Sequence, residues 1–115
     1  MEVRQVGVVG AGQMGSGIAH VFALAGYQVL MTDISEDSLS KALAVIERNI
    51  DRQVTRGKVL PADKRAAMER IKTSLKLADL GQCDLIIEAA TERETVKQAI
   101  FEDLLPHLKP TTMLT

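Results

Sequence analysis

Residues 7–20 read GVVGAGQMGSGIAH and place five glycines among small and apolar residues. Glycine weakens the interior of a helix or a strand by about 0.5–1 kcal/mol relative to alanine, so this many glycines need a compensating purpose. A valine-rich run precedes the central G-x-G-x-x-G pattern, and apolar residues at helical spacing follow it. A strand, a glycine turn and a helix in this order predict a unit that binds the phosphates of a dinucleotide.

Each glycine of the pattern has its own expected purpose. Gly10 permits a tight turn, Gly12 lets the backbone approach a pyrophosphate, and Gly15 lets the helix pack close to the strand. At the start of the helix, the backbone N–H groups of Gln13, Met14 and Gly15 are expected to point toward the phosphates. The sequence therefore predicts that these five residues bind a cofactor.

Asp33 follows the second apolar strand pattern, 21 residues after Gly12. A carboxylate at this distance can accept hydrogen bonds from both ribose hydroxyls of an adenosine, and it would repel a 2′-phosphate. The next residue is Ile34, and no arginine lies beside it to neutralise such a phosphate. The pair of motifs favours NAD over NADP. The alternative is an aspartate that only stabilises a turn or caps a helix.

The hydrophobic pattern alternates between strands and helices. Strands are predicted at residues 3–9, 28–33, 71–75, 83–90 and 112–115, and helices at 14–25, 36–56, 61–70 and 92–105. In the first helix, Met14, Ile18, Val21, Phe22 and Ala25 are expected to form the apolar face. Such alternation implies right-handed β-α-β crossovers and a parallel sheet. We therefore predict an α/β fold of the Rossmann type, a doubly wound, mainly parallel sheet with helices on both faces and strand order 3-2-1-4-5.

Length and composition indicate one globular domain over residues 1–115, with 46% apolar residues, 25% charged residues and a net charge of −1. This balance gives no support for a nucleic-acid or membrane partner. No apolar run reaches the roughly 18 residues of a membrane span, and the single cysteine, Cys83, excludes an internal disulfide. We expect a cytoplasmic protein. Because Thr115 lies within a predicted strand, we expect the domain to be truncated and to belong to a longer protein.

Four basic residues share one side of the long predicted helix: Lys41, Arg48, Arg52 and Arg56. They form either a solvated face or a surface that holds a polyphosphate ligand, and helix geometry alone does not decide between the two. Glu92 begins the helix that follows the fourth strand, where it either complements the helix dipole or lies at the cofactor edge of the sheet. Lys97 either pairs with Glu92 or reaches a ligand.

Three segments together resemble the NAD-binding domain of the 3-hydroxyacyl-CoA dehydrogenase family, in particular its bacterial members that act on 3-hydroxybutyryl-CoA. They are VGVVGAGQMGSGIAHVFALAGYQVLMTD at residues 6–33, RNIDRQVTRGKV at 48–59 and DLIIEAATERETVKQAIFEDL at 84–104. The likeness covers nearly the whole chain. Because it rests on three separate motifs, it is more specific than the glycine pattern alone.

The resemblance implies an oxidoreductase that interconverts 3-hydroxyacyl-CoA and 3-oxoacyl-CoA by hydride transfer with NAD. It implies that Gly10, Gly12 and Gly15 line the pyrophosphate turn, that Asp33 holds the adenosine ribose, and that Glu92 and Lys97 lie on the cofactor cleft. It also implies that the long helix contacts the CoA of an acyl-CoA thioester through Asn49, Arg52 and Arg56.

The family's catalytic histidine and glutamate, and its helical C-terminal dimerisation and substrate domain, correspond to positions beyond Thr115. We therefore expect no catalytic residue within the chain, no turnover from these 115 residues alone, and a homodimer for the full-length protein. His20 and His107 are each expected to have a structural or surface role. Two alternatives remain, a stand-alone NAD-binding module and the Rossmann domain of a hydroxy-acid dehydrogenase.

Overall fold

The structure is a computed structural model that describes residues 3–89 and 94–115, with side chains from residue 98 onward in the second range. Strands β1 to β5 are Gln5–Val9, Gln28–Thr32, Ile71–Ser74, Leu85–Glu88 and Met113–Leu114. Helices α1 to α4 are Gln13–Leu24, Glu36–Thr55, Pro61–Arg70 and Glu94–Leu104. Short 3-10 turns at Leu77–Gln82 and Leu105–His107 complete the elements.

The five strands form one parallel sheet in the order β3-β2-β1-β4-β5. This confirms the predicted order 3-2-1-4-5 and the Rossmann-type class. The strand order reverses between β1 and β4. From β1 the chain adds β2 and β3 on one side of the sheet, and then β4 and β5 on the other side. In open parallel sheets this reversal leaves a crevice at the carboxyl ends of the strands, where ligands bind.

Alternate side chains of the strands enter two separate cores, which confirms helices on both faces. One core joins Val6, Val8, Val29 and Met31 to apolar residues of α1, α2 and α3. The other joins Val9 and Ile86 to Leu80, Cys83 and Leu104, from the 3-10 turn and α4. On this second face β1 carries Gly7, where an added Cβ would lie 2.7 Å from Leu80 Cδ2. Gly7 thus leaves room for the 3-10 turn, an element that the hydrophobic pattern did not predict.

The predicted apolar face of α1 is right only in part. Ile18 and Phe22 are half-buried and pack against the core, whereas Met14, Val21 and Ala25 are exposed. The fully buried residues are Gly15, Ser16, Ala19 and Ala23. The reason is the close approach of α1 to the sheet, which admits only small side chains on the facing side of the helix.

Cys83 is fully buried, as a structural cysteine should be, and burial raises the pKa of its thiol to about 11. His20 joins two helices, since its Nε2 lies 2.8 Å from Gln53 Oε1 on α2. Within the described ranges, no helix is long and apolar enough to cross a bilayer.

Candidate cofactor-binding site

The glycine turn lies between β1 and α1 and has a backbone that only glycine tolerates at two points. Gly10 has a φ of 103°, in the left-handed region that disfavours other residues, and its N–H donates to Thr32 O at 2.7 Å. Gly15 lies directly under the turn, because a Cβ at this position would overlap the carbonyl oxygen of Gly10. Both glycines are therefore required by the fold itself.

Gly12 is different, because nothing in the described part of the chain requires a glycine there. Its φ of −77° and ψ of −162° are open to any residue, and an added Cβ would meet no atom of the described residues within 4 Å. Gly12 is also the N-cap of α1, and no side chain hydrogen-bonds to that end of the helix. The first N–H groups of an α-helix have no partner within the helix, so those of Gln13, Met14 and Gly15 are available to an anion.

Asp33 lies immediately beside this turn, at the carboxyl end of β2. Its Oδ2 accepts a hydrogen bond from Ala11 N at 2.9 Å, and its Oδ1 accepts one from Ser35 N at 3.0 Å. The structural alternative raised for Asp33 is thus present, because the carboxylate does stabilise a turn. Each carboxylate oxygen has a second lone pair, so two ribose hydroxyls still find acceptors there.

A cavity of about 550 Å³ opens at this edge of the sheet, within the usual size range of small-ligand sites. Its polar side consists of the glycine turn and Asp33, and its apolar side of Ile34, Leu75, Leu77 and Ile100. Ile34 is 99% exposed and Leu75 is 52% exposed, so two large apolar side chains face open space beside a carboxylate. This arrangement suits a flat apolar ring joined to a ribose and a pyrophosphate.

The basic face of α2 is separated from the acidic face of the same helix. On one side Asp51 and Glu47 approach Lys64 of α3, with Nζ–O distances of 2.5 and 3.9 Å. On the other side Arg52 Nη1 lies 3.5 Å from Asn49 Oδ1. That second side also holds Arg48 and Arg56, which form no ion pair with any residue in the described part of the chain.

Lys41 departs from the other three cations, because it forms an exposed i,i+4 ion pair with Asp37 at 2.9 Å. Ser38, which lines the cavity, lies within about 60° of Asn49, Arg52 and Arg56 around the helix axis. Arg52 and Arg56 are about 21 and 27 Å from Ser38 along that axis. The arginines therefore lie on the cavity side of α2 but too far away to hold the group beside Asp33.

A family model described as 3-hydroxyacyl-CoA dehydrogenase, NAD binding domain, matches residues 5–115. The chain belongs to this family. Its cofactor is NAD, and the open position at Gly12, the carboxylate of Asp33 and the mixed walls of the cavity fit that cofactor.

Relatives and solved structures agree with this membership. A 3-hydroxybutyryl-CoA dehydrogenase of Bradyrhizobium diazoefficiens is 50% identical over 108 residues, which are 94% of this chain and 37% of that protein. A 3-hydroxyadipyl-CoA dehydrogenase of Escherichia coli is 40% identical over 115 residues, all of this chain and 24% of that protein. The crystal structure of a 3-hydroxybutyryl-CoA dehydrogenase from Escherichia coli matches with a TM-score of 0.96 at 39% identity, over 99% of this chain and 24% of the other. The chain thus spans well under half the length of these proteins.

Glu92 lies outside the described residues, and only the backbone of Lys97 is described, within α4. The neighbouring carboxylate Glu88 ends β4, is only 6% exposed and pairs in register with Val9, next to the glycine turn.

Sequence reasoning missed the apolar wall of the cavity. Leu75, Leu77 and Ile100 come from two segments that are distant from the glycine motif in the chain. Leu75 directly follows β3. Because ligands bind just past the carboxyl ends of parallel strands, this position was the signal in the sequence that Leu75 could line the cavity.

Proposed function

We propose that the chain is the cofactor-binding part of an NAD-dependent dehydrogenase that interconverts 3-hydroxybutyryl-CoA and its 3-oxo counterpart. The observation that carries the proposal is the charge separation on α2, where arginines that pair with no acid among the described residues lie on the cavity side of the helix. A dehydrogenase of simple hydroxy acids has no need for such a surface. A dehydrogenase of CoA thioesters does need one, because the phosphates of CoA must be bound by cations that lie well away from the reacting carbon.

In this proposal the glycine turn holds the pyrophosphate of NAD. Gly10 and Gly15 shape the turn, Gly12 leaves space for the phosphates, and the N–H groups of Gln13, Met14 and Gly15 donate to them. Because these donors lie at a helix N-terminus, their partial positive charge adds to the attraction for the phosphates.

Asp33 accepts hydrogen bonds from the adenosine ribose, and the adenine lies against Ile34 and Leu75. By family resemblance, Glu92 and Lys97 lie on the same cleft. NAD supplies the chemistry by accepting the hydride of the alcohol. The chain's own contribution is to bind and orient, and we assign it no proton transfer, because the family's base lies beyond residue 115.

The acyl-CoA thioester lies along α2, with Asn49, Arg52 and Arg56 on its nucleotide portion. Guanidinium groups suit this task, since they donate to phosphate oxygens in a bidentate geometry. A homodimer and a cytoplasmic location for the full-length protein belong to the same proposal, as does the absence of a nucleic-acid partner.

The test is steady-state kinetics on the natural-length gene product that carries this chain, with wild type compared to an Arg52→Gln/Arg56→Gln double variant. We expect KM for 3-hydroxybutyryl-CoA to rise about tenfold, the low end of the effect of one charge-assisted hydrogen bond, while KM for NAD+ stays within twofold. Arg65→Gln removes an exposed cation from α3 and is the matched control.

A truncated substrate, the N-acetylcysteamine thioester of 3-hydroxybutyrate, removes the nucleotide from the measurement. The double variant and the wild type should turn it over equally. An unchanged KM for 3-hydroxybutyryl-CoA in the double variant would refute the assigned contact. Oxidation of free hydroxy acids in preference to CoA thioesters would instead support the hydroxy-acid alternative.

A further inference from the structure

The carboxylate of Asp33 connects two separate pieces of backbone. Oδ2 accepts from Ala11 N, in the middle of the glycine turn, and Oδ1 accepts from Ser35 N, at the N-cap of α2. Ala11 lies between Gly10 and Gly12, the two most permissive residues of the turn. Its N–H is therefore a second point at which the turn is held from outside its own strand and helix, next to the bond from Gly10 N to Thr32 O.

We propose that Asp33 is a positioning residue for the pyrophosphate turn, in addition to the ribose contact assigned to it under the proposed function. Its hydrogen bond to Ala11 N keeps the turn in the shape that leaves the space at Gly12 open. A turn flanked by glycines has many alternative conformations, and each of them must be excluded before the helix amides face one phosphate. Asp33 excludes them before the ligand arrives.

This inference predicts an effect that a ribose contact alone cannot produce. A negative charge beside a pyrophosphate opposes binding through space, so removal of that charge should leave pyrophosphate binding unchanged or strengthen it. If Asp33 also shapes the turn, its removal weakens pyrophosphate binding even when no ribose hydroxyl is present. The two accounts differ in the sign of the change.

The experiment is a calorimetric titration of wild type and Asp33→Asn with ADP and with 2′,3′-dideoxy-ADP, which lacks both ribose hydroxyls. Asparagine keeps one acceptor oxygen but turns an N–H donor toward one of the two backbone amides, so one hydrogen bond is lost. We expect Asp33→Asn to bind dideoxy-ADP fivefold to tenfold more weakly than the wild type does, about the net effect of one hydrogen bond. Binding of dideoxy-ADP with equal or higher affinity by Asp33→Asn would overturn the inference and leave the ribose contact intact.

Asp84→Asn is the matched control, because Asp84 Oδ2 likewise accepts from two backbone amides, Arg4 N and Gln5 N, at the opposite edge of the sheet. This control should bind both nucleotides as the wild type does, and an equal loss in both variants would overturn the inference by showing a general loss of stability. Failure of the wild type to bind ADP would refute the proposed cofactor site itself.

Discussion

Asp84 lies near the amino ends of β1 and β4 and is held by three donors. Its Oδ2 accepts from the backbone N–H groups of Arg4 and Gln5 at 3.0 Å each, and its Oδ1 pairs with Lys109 Nζ at 2.6 Å. All three donors favour the ionised carboxylate, and the pair with Lys109 has the largest effect. Together they hold the pKa of Asp84 well below its usual range.

This arrangement predicts a specific loss of stability in acid. Because the folded-state pKa is lowered, the stabilisation is complete above the unfolded-state pKa and disappears as the pH falls toward the folded value. We expect the free energy of unfolding of Asp84→Asn to be lower than that of the wild type at pH 7, and the difference to narrow between pH 4 and pH 2. Urea unfolding followed by circular dichroism measures it, and a constant difference across this range would contradict the prediction.

At the scale of single residues, the sequence predicted a separate purpose for each glycine of the motif and a ribose contact for Asp33. The motif did not show which atom excludes a side chain at Gly15, namely the carbonyl oxygen of Gly10. Nor could it show that Asp33 bonds to Ala11 N, since that contact spans 22 residues of chain. These contacts of Gly15 and Asp33 depend on where the backbone atoms lie after folding.

Helix α2 begins where the sequence indicates. Ser35 is its N-cap and accepts a hydrogen bond from Ser38 N at 3.1 Å, and Glu36 and Asp37 occupy the first turn, where the helix dipole favours acids. The sequence predicted the basic side of α2. It did not show that acidic residues on another side of α2 approach Lys64 of α3, because that contact depends on the packing of α3 against α2.

The N-cap of α2 gives a prediction about the stability of the protein. Ser35→Ala should lower the free energy of unfolding by about 1 kcal/mol, because one N–H at the start of α2 loses its acceptor. Ser40→Ala is the matched control, since Ser40 is exposed within the same helix and alanine there favours the helix slightly. Urea unfolding compares the three proteins, and equal stabilities for Ser35→Ala and the wild type would show that the cap contributes nothing.

The apolar face of α1 was predicted only in part, since Ile18 and Phe22 pack against the core but the other three residues do not. Its buried side consists of small residues, and periodicity weighted by residue size assigned Met14 and Val21 to the core instead. The spacing of glycine, serine and alanine at positions 15, 16, 19 and 23 was the better signal. A helix that follows a glycine turn packs close to its sheet, and small residues then mark the buried side.

At the scale of the whole molecule, the alternation of strands and helices was enough to predict the sheet order. Crossover connections between parallel strands are right-handed, and consecutive strands usually lie next to each other in the sheet. These two rules leave few topologies open. The cavity could not be predicted in the same way, because its walls combine the glycine turn with Leu75, Leu77 and Ile100. Those residues meet only through long-range packing at the carboxyl edge of the sheet.

The central claim is that the space beside Gly12 is where this chain holds the pyrophosphate of NAD. Gly12 and Gly17 make a matched pair for testing it, because a Cβ at either position meets no atom of residues 3–89 or 94–115 within 4 Å. Alanine at either position should therefore leave the protein folded. Gly17 lies within α1, where alanine favours the helix, whereas Gly12 is its N-cap.

Calorimetric titration with NAD+ of the wild type, Gly12→Ala and Gly17→Ala is the most direct measurement. The account predicts that the wild type and Gly17→Ala bind NAD+ alike, and that Gly12→Ala binds at least tenfold more weakly because its methyl group occupies the phosphate position. Equal affinity of Gly12→Ala and the wild type, or no binding by the wild type, would contradict it.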